Sequence, residues 1–451
     1  MARDNGGPKA GNGATHMTAP VAAETREKFL PVTKAALMDR LTRDDRWPGV
    51  PAVDVRRFFR YLDYWRQQQY TMRLLALQEA YEPFSPDTDL LITRDYAPAE
   101  RKALQKQVMT GIEGLLRQAN YTRLDPNEVD LILTKDSAYG LDLTVDLKAF
   151  EEIAIYYRGV GCRTQERRKL GKFYRKEEFD VPIYRRLCIV FKLMPFEARV
   201  AQVMADNNWP RVNAETHVRR LRAQLPGAIG DANIYMKLFR NIPTSDIEMV
   251  FPNTQVRFRL MDKLRLGATA GGGLGFGVFT SAGKVALLAT NPLAAAGAAL
   301  GLGGLVFRQA MGFVNQKQRY MMVMAQNLYF HSLADNRSVI VKLASRAAEE
   351  DIKEEWLLYA VLAKTHAFRA DLAGIDRAIE NHMAAEFGIT VDFDIEDALE
   401  RLVADGLVTE APDGGFTTLA PRDAALHIDA KWDCLLDNLP DPGRAEGAEV
   451  G

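Results

Sequence analysis

The pattern of hydrophobic and polar positions is dominated by one long apolar run. Residues 266–307 carry a single charge, Lys284. A membrane-spanning helix needs about 20 apolar residues, so the run has room for two. Asn291 suits a helix N-cap, and Pro292 suits the first helical position, where its missing N–H is not needed. The pattern therefore predicts a two-helix transmembrane hairpin over residues 266–314.

The spacing of glycines within this run bears on whether it lies in a membrane or in a soluble core. In water, each glycine inside a helix costs roughly 0.5–1 kcal/mol relative to alanine. In lipid, small residues at four-residue spacing let two backbones approach closely. The spacing thus favours a membrane over the alternative of a hairpin buried in a large soluble core. It also predicts helix packing, and a homo-oligomer, through a glycine face made of Gly267, Gly271, Gly275, Gly297 and Gly301.

Basic residues around the hairpin predict its orientation. By the positive-inside rule, flanks rich in Lys and Arg stay in the cytoplasm. The chain start lacks the apolar segment of a signal peptide and the arginine-rich pattern of an organelle presequence. We therefore predict a bacterial inner membrane with both termini cytoplasmic, or a mitochondrial membrane if the protein is eukaryotic. The flanking basic residues are Arg257, Arg259, Lys263, Arg265, Arg308, Lys317 and Arg319.

Outside the hairpin, helical periodicity gives way to strand-like segments and then returns. Apolar positions three and four apart predict helices before residue 124, and β-branched or aromatic segments predict strands between residues 141 and 251. The predicted fold class is α+β and membrane-anchored, with a small mixed sheet. Its parts are a disordered tail (1–24), an N-terminal helical region (25–124), a small α+β domain (125–260), the hairpin (266–314), a juxtamembrane helix and linker (315–345), a winged-helix-like domain (349–436) and a disordered tail (437–451).

A basic segment joins two of the predicted strands, beginning at Arg158 and ending at Arg185 and Arg186. Each Lys or Arg near an anionic membrane surface contributes about 1 kcal/mol of attraction. The segment therefore predicts contact with anionic lipid headgroups. The alternatives are a solvated, partly ion-paired surface, a phosphate-bearing ligand or RNA. The candidate lipid-contact residues are Arg163, Arg167, Arg168, Lys169, Lys172, Arg175 and Lys176.

Three predicted helices and a hairpin after residue 349 follow the order of a winged helix. A module of this kind that binds nucleic acid would carry basic residues on its third helix. Here that helix is acidic, which repels a phosphate backbone. We therefore predict no nucleic-acid partner and an unidentified protein partner at this domain. The acids of the third helix are Asp394, Glu396, Asp397 and Glu400.

Composition and motifs restrict the chemistry. The net charge is −1, and the three cysteines form no CxxC pair, so neither a strong charge bias nor a disulfide framework is expected. None of the six histidines has the spacing of a metal site. The sequence contains no nucleophile elbow, kinase signature or correctly spaced phosphate loop. We therefore predict no catalytic, cofactor-binding or metal-binding residues, and no enzyme.

Four stretches carry a recognisable pattern: Ile155–Gly159, Lys237–Pro243 followed by Asp246, Tyr320–His331, and the helix start at Lys353–Glu355. Together with the hairpin they resemble the transmembrane protein 143 family, whose members carry a domain of unknown function. The second stretch is the most specific, because it lies just before the predicted hairpin. The resemblance implies a two-span membrane protein, organellar in animals and in the inner membrane of bacteria. It implies no catalytic residues and no activity.

These features predict a membrane-anchored interaction or scaffold protein of unknown biochemical activity, with membrane lipids as partners. The second hypothesis is an enzyme or ligand-gated module that acts on a phosphate-bearing or lipid substrate at the membrane surface. It predicts a concave pocket in the basic region, with converging polar groups and a carboxylate or histidine of perturbed pKa. The third hypothesis is a small channel or transporter made of oligomerised hairpins, which the lack of a polar face disfavours.

Overall fold

The structure is a computed structural model. It describes residues 26–87, 95–125, 142–168, 176–257 with short gaps after 225, a few single positions from 311 to 325, and 329–437. The fold is mixed α/β, built around a five-stranded antiparallel sheet. Helices before and after the sheet in sequence pack together on one of its faces.

The described helices fall into three groups along the chain. Three precede the main strands, two lie between strands, and four follow the sheet. Their bounds are α1 Lys34–Leu41, α2 Ala52–Tyr81, α3 Pro98–Gln118, α4 Phe196–Asn207, α5 Arg211–Arg222, α6 Arg337–Leu362, α7 Leu372–Phe387, α8 Ile395–Ala404 and α9 Pro421–Asp433.

Helices α2 and α6 form the centre of the helical layer. Buried side chains of α2 such as Val55, Phe59 and Leu62 recur three and four residues apart, which places them on one helix face. The Phe59 ring stacks on Trp356 of α6, with ring centroids 5.3 Å apart. Trp356 Nε1 also donates to the Phe59 carbonyl at 3.1 Å, so its polar edge is satisfied within the core.

The main sheet has the strand order β1-β3-β4-β5-β7, and two small two-stranded sheets, β2–β6 and β8–β9, lie apart from it. Their bounds are β1 Thr122–Arg123, β2 Asp142–Thr144, β3 Phe150–Arg168, β4 Lys176–Leu193, β5 Ile234–Pro243, β6 Gln255–Arg257, β7 Ser332–Asp335, β8 Val408–Glu410 and β9 Phe416–Thr418.

Strands β3 and β4 are longer than the sequence predicts. The basic segment is expected to be a loop, but the strands continue into it until Arg168 pairs with Lys176. The last register pair between β4 and β5 is Ile183 with Pro243. Beyond this pair, in the described strands, β3 and β4 pair only with each other and form a two-stranded ribbon.

The two faces of the sheet belong to different cores, because successive side chains of a strand alternate between faces. On one face, Tyr156, Cys188 and Leu238 join the core shared with α2, α3 and α6. On the opposite face, Phe239 joins a smaller core that includes Phe251. A side chain of the sheet that shares the face of Tyr156 is therefore directed towards the helical layer.

The C-terminal helices pack on the helical layer rather than on the sheet. Helix α9 runs against α2, and α8 packs against α6. Phe368 and Gly415 form an isolated bridge beside the β8–β9 hairpin. The winged-helix-like assignment of residues 349–436 stays a prediction.

The structure corrects the predicted membrane anchor. Helices α2, α3 and α6 are long enough to span a bilayer, but charged residues recur along each of them. No helix in the described part of the chain combines the length and the apolar character that crossing a membrane requires. The predicted membrane-anchored α+β fold, the multi-pass topology and the inner-membrane or mitochondrial-membrane location are therefore wrong. Apart from Met311, residues 266–314 lie outside the described residues, and with them Gly267, Gly271, Gly275, Gly297 and Gly301.

Candidate functional site

Three arginines lie side by side near one end of the sheet. Arg158 of β3 is in register with Arg186 of β4, which is in register with Arg240 of β5. Residues directly opposite each other in an antiparallel sheet share a face, with Cβ atoms about 4.5–5.5 Å apart. The row shares the face of Tyr156, so it borders the helical core. Like charges placed directly opposite each other destabilise a sheet, so this row needs negative partners.

The strands are distorted next to the arginine row. Gly159 and Asn241, on either side of β4, have φ angles of 73° and 52°. The left-handed region is open to glycine and, among other residues, is most often adopted by Asn, Asp and His. The register passes over Gly159, Arg185 and Asn241, which interrupts the regular alternation of side chains. As a result, the neighbouring residues Arg185 and Arg186 both line a pocket that lies between residues 29–33, the strands and α6.

Arg158, a buried member of the row, forms an ion pair with Glu350 of α6. Its Nη2 donates to Glu350 Oε1 at 2.7 Å, and the same oxygen accepts from Lys353 Nζ at 2.9 Å. Burial lowers the pKa of both Arg158 and Lys353, and the Glu350 carboxylate partly offsets this effect. The two cations and one carboxylate therefore form a fixed group beneath the pocket with a net positive charge.

Residues 26–33, here called the strap, form one wall of the pocket. The Leu30 N–H donates to Glu350 Oε2 at 3.0 Å, and its carbonyl accepts from Lys353 Nζ at 2.6 Å. The Phe29 ring lies against the Arg158 guanidinium, whose Cζ is 4.1 Å from the ring centroid. This contact is a cation–π interaction. The strap is thus held by the same buried charges that hold Arg158.

The strap, the strands and α6 border an open pocket of about 360 Å³, within the size range of small-molecule sites. Four arginines line it, Arg158, Arg185, Arg186 and Arg346, against one carboxylate, Glu349. Arg346 pairs with Glu349 at 2.8 Å. Arg186 has no carboxylate partner within the described ranges, and it donates to the Arg185 carbonyl at 2.8 Å. We call this cavity the arginine pocket.

Gly159 lets the strap approach β3, and replacing it by alanine is expected to destabilise the protein by about 1–3 kcal/mol. An added Cβ would lie 3.1 Å from Arg185 Cδ and 3.2 Å from Phe29 Cε1, in a backbone conformation with φ of 73°. Urea unfolding measures the loss. The control is Gly374→Ala in α7, where nothing lies within 4 Å of the new Cβ. That change should be neutral or stabilising, because alanine is the better helix former; equal losses in the two variants would contradict the role given to Gly159.

A second group of buried charges follows Glu350 along α6 and faces α8. Arg401 donates from Nη2 to Glu354 Oε2 and from Nε to Glu355 Oε1, both at 2.8 Å. Its Nη1 lies 3.3 Å from Asp351 Oδ1 and also contacts Asp397. Burial raises the pKa of Asp351 to about 7 and that of Glu354 to about 8, although Arg401 lowers both. We call these side chains the Arg401 cluster.

The Arg401 cluster includes carboxylates at metal-ligand spacing. Oxygen atoms of Asp351, Glu354 and Asp397 all lie within 4.8 Å of one another. The Arg401 guanidinium already lies among these oxygens, so the cluster contains its own cation. A metal ion would have to displace a buried arginine that has four acidic neighbours. We therefore interpret the cluster as an ion network that joins α6 to α8.

The predicted lipid-contact residues do not line the arginine pocket as far as it is described. Arg163 is exposed on β3. The backbone alone is described for three others on the ribbon, and the remainder lie outside the described residues. Contact with anionic headgroups therefore stays a prediction, as do the lipid, protein and homo-oligomer partners and the absence of a nucleic-acid partner. The two sets are Arg167, Arg168 and Lys176 on the ribbon, and Lys169, Lys172 and Arg175 outside the described residues.

The sequence contains part of the signal for the arginine pocket. Arg158, Arg185 and Arg186 belong to the basic segment. Gly159 follows Arg158 directly, and it lies opposite the Arg185–Arg186 pair at the point where the strands are distorted. Phe29 and Arg346 give no signal, because they lie far away in sequence and reach the pocket only through the fold.

Comparison with known proteins identifies one domain. Residues 150–338 match the family described as Protein of unknown function (DUF3754). A domain of this type therefore runs from β3 to the start of α6 and includes Arg158, Arg185 and Arg186. Phe29 and Arg346 lie outside the matched segment. No solved structure matches the chain. Nothing confirms the resemblance to the transmembrane protein 143 family, which stays a prediction.

Proposed function

We propose that the protein is a ligand-binding module that takes a phosphate-bearing anion into the arginine pocket. The observation that carries the proposal is the lining of the pocket, where Arg158 and Arg186 of the row, together with Arg185 and Arg346, meet a single carboxylate, Glu349. The repulsion within such a row destabilises the sheet. An anion bound in the pocket lies against Arg158 and Arg186 and offsets the part of this repulsion that Glu350 leaves between them.

The types of side chain in the pocket suit phosphate better than a generic anion. Guanidinium groups bind phosphate oxygens through pairs of parallel, charge-assisted hydrogen bonds. Arg158 is buried and fixed by Glu350, so it can act as a preorganised donor at the inner end of the pocket. Arg186 lacks a carboxylate partner within the described ranges, so its N–H groups need not leave an acid to reach a ligand.

The volume of the pocket and its apolar wall leave room for more than a phosphate group. About 360 Å³ accommodates a phosphate with a small organic body. The strap contributes Phe29, Pro31 and Val32 on the side facing the arginines. The second sequence hypothesis expects a concave pocket with converging polar groups and a carboxylate of perturbed pKa. Burial raises the pKa of the Glu27 carboxyl, which lies beside Arg185, and this supports the ligand-binding part of that hypothesis.

Isothermal titration calorimetry of the full chain with inorganic phosphate and pyrophosphate tests the proposal, with sodium chloride at equal ionic strength as the blank. The wild type is expected to bind saturably at one site. Arg186→Gln should weaken binding by about tenfold or more, because one hydrogen bond to a charged group contributes about 1.5–3 kcal/mol.

The matched control for this experiment is Arg220→Gln. Arg220 is an exposed arginine on α5 that does not line the pocket, so its loss should leave the affinity unchanged. Equal weakening by both variants would indicate a general charge effect rather than a site. Absence of saturable binding to the wild type would reject the proposal.

A further inference from the structure

Glu27 of the strap holds one of the pocket arginines from within the protein. Its carboxylate lies 3.0 Å from Arg185 Nη1. The same carboxylate lies close to Gly159, where an added Cβ would be 3.3 Å from Oε2. Burial raises the pKa of Glu27, whereas Arg185 and Arg158 lower it. The strap therefore places a partly desolvated anion at the edge of the arginine pocket.

Main-chain bonds keep Glu27 in this place. Its N–H donates to the Thr390 carbonyl at 3.3 Å, and its carbonyl accepts from the Asp392 N–H at 3.0 Å. The preceding residue, Arg26, pairs with Glu380 of α7 at 2.8 Å. A group tethered in this way acts at a high effective concentration. Any anion that enters the pocket from solution has to compete with Glu27 for Arg185.

We infer that Glu27 is a built-in competitor that restricts the arginine pocket to dianionic ligands, such as phosphate monoesters. The inference rests on the proposed function. A monoanion offers Arg185 no more charge than Glu27 already provides, so the exchange of Glu27 for a monoanion as the partner of Arg185 brings no gain in binding free energy. A phosphate dianion has three terminal oxygens and can accept from Arg185 and Arg186 together. The exchange then replaces one ion pair with two sets of charge-assisted hydrogen bonds.

The test compares phosphate at pH 8, where it is a dianion, with acetate, a monoanion, by calorimetry on the full chain. The wild type should bind phosphate and give no measurable heat with acetate. Glu27→Gln keeps the main-chain bonds and removes the charge. It should tighten phosphate binding by about fivefold, the order expected for loss of one partly exposed ion pair, and make acetate binding measurable.

The control is Glu380→Gln, which releases Arg26 in the same strap without touching Arg185. It should leave both affinities unchanged. The gain from Glu27→Gln should also vanish in an Arg185→Gln background, because the competition acts through that arginine. If Glu27→Gln proves unstable, Glu27→Asp provides a second measurement. Its side chain is one methylene shorter, and it should give a smaller gain in the same direction.

The outcomes separate this inference from the proposed function. If the wild type binds phosphate and Glu27→Gln binds it no tighter, the competitor role is overturned and the pocket remains a phosphate site. Persistence of the gain in the Arg185→Gln background would overturn it in the same way. If neither the wild type nor Glu27→Gln binds phosphate, the proposed function fails and the inference fails with it.

Discussion

Replacing Arg401 by methionine is expected to lower the free energy of unfolding by about 3–5 kcal/mol, the range for removing one partner of a buried ion pair. The acids that Arg401 contacts on α6, Asp351, Glu354 and Glu355, have side chains that are 2%, 6% and 0% exposed. Without the guanidinium they remain buried and repel one another. Urea unfolding at pH 8 measures this loss of stability, because at that pH proton binding to the buried acids compensates least for the missing guanidinium.

Two comparisons test this cause. At pH 5 the loss should be smaller, because burial raises the pKa of Asp351 and Glu354 and protons can then neutralise both acids. Adding Glu354→Gln to the methionine variant should restore part of the stability, since the two sites are in contact.

Arg377→Met provides the matched control, because Arg377 is exposed on α7. This change should alter the free energy of unfolding by less than about 0.5 kcal/mol. A loss below about 1 kcal/mol for the Arg401 variant at pH 8 would contradict the interpretation, since exposed ion pairs contribute no more than that.

The Arg401 cluster also explains why the sequence around it is misleading. The acid-rich segment Glu349–Trp356 is typical of a solvated helix face, because Glu, Asp and Lys are almost never fully buried unless they are paired. The structure buries Glu350, Asp351, Lys353, Glu354 and Glu355. Their arginine partners come from three distant elements: Arg158 on β3, Arg66 on α2 and Arg401 on α8. No local pattern indicates which charges will meet.

Elements with one buried face could be predicted, and those without one could not. The apolar repeat of α2 is enough to identify its core side chains from the sequence alone. The outer part of β3 carries charged residues, so it looks like a loop. The strand forms there because it pairs with β4, and the hydrogen bonds between two main chains do not depend on the type of side chain.

The membrane hairpin is the largest error of the sequence-based predictions, and it arises from a local criterion. Residues 266–307 satisfy the length and charge requirements of two spanning helices. Those requirements describe composition and do not report on packing. Within the described residues, no helix is suited to cross a membrane. The basic segment is the better guide, because Arg158, Arg185 and Arg186 stand out by charge alone and line the proposed site.

Stability is expected to fall as the pH rises from about 4 to about 8 through the acids of the Arg401 cluster. Burial raises the pKa of Asp351 from 3.8 to about 7 and that of Glu354 from 4.5 to about 8. Between these values the folded state binds protons that the unfolded state has released. The stabilisation is therefore complete below the unfolded pKa values and is lost as the pH passes the folded ones.

Asp351→Asn should flatten this dependence of stability on pH, because the amide resembles the protonated acid. The amide oxygen can still accept the hydrogen bond that the Tyr70 hydroxyl donates to Asp351 Oδ2 at 2.6 Å in the wild type. Between pH 5 and pH 8, the wild type should lose about 2–3 kcal/mol more than this variant. Urea unfolding at both pH values gives the difference. Burial lowers the pKa of His382, so this residue makes stability rise with pH in both proteins. Its contribution therefore cancels in the comparison.

The control for the pH experiment is Asp429→Asn, at an exposed position of α9. Its pH dependence should match that of the wild type, because an exposed carboxyl gains nothing from being neutral. A wild type that is equally stable at pH 5 and pH 8, together with an unchanged slope in Asp351→Asn, would mean that Arg401 holds both acids ionised. The cluster of the wild type would then be a permanently charged network.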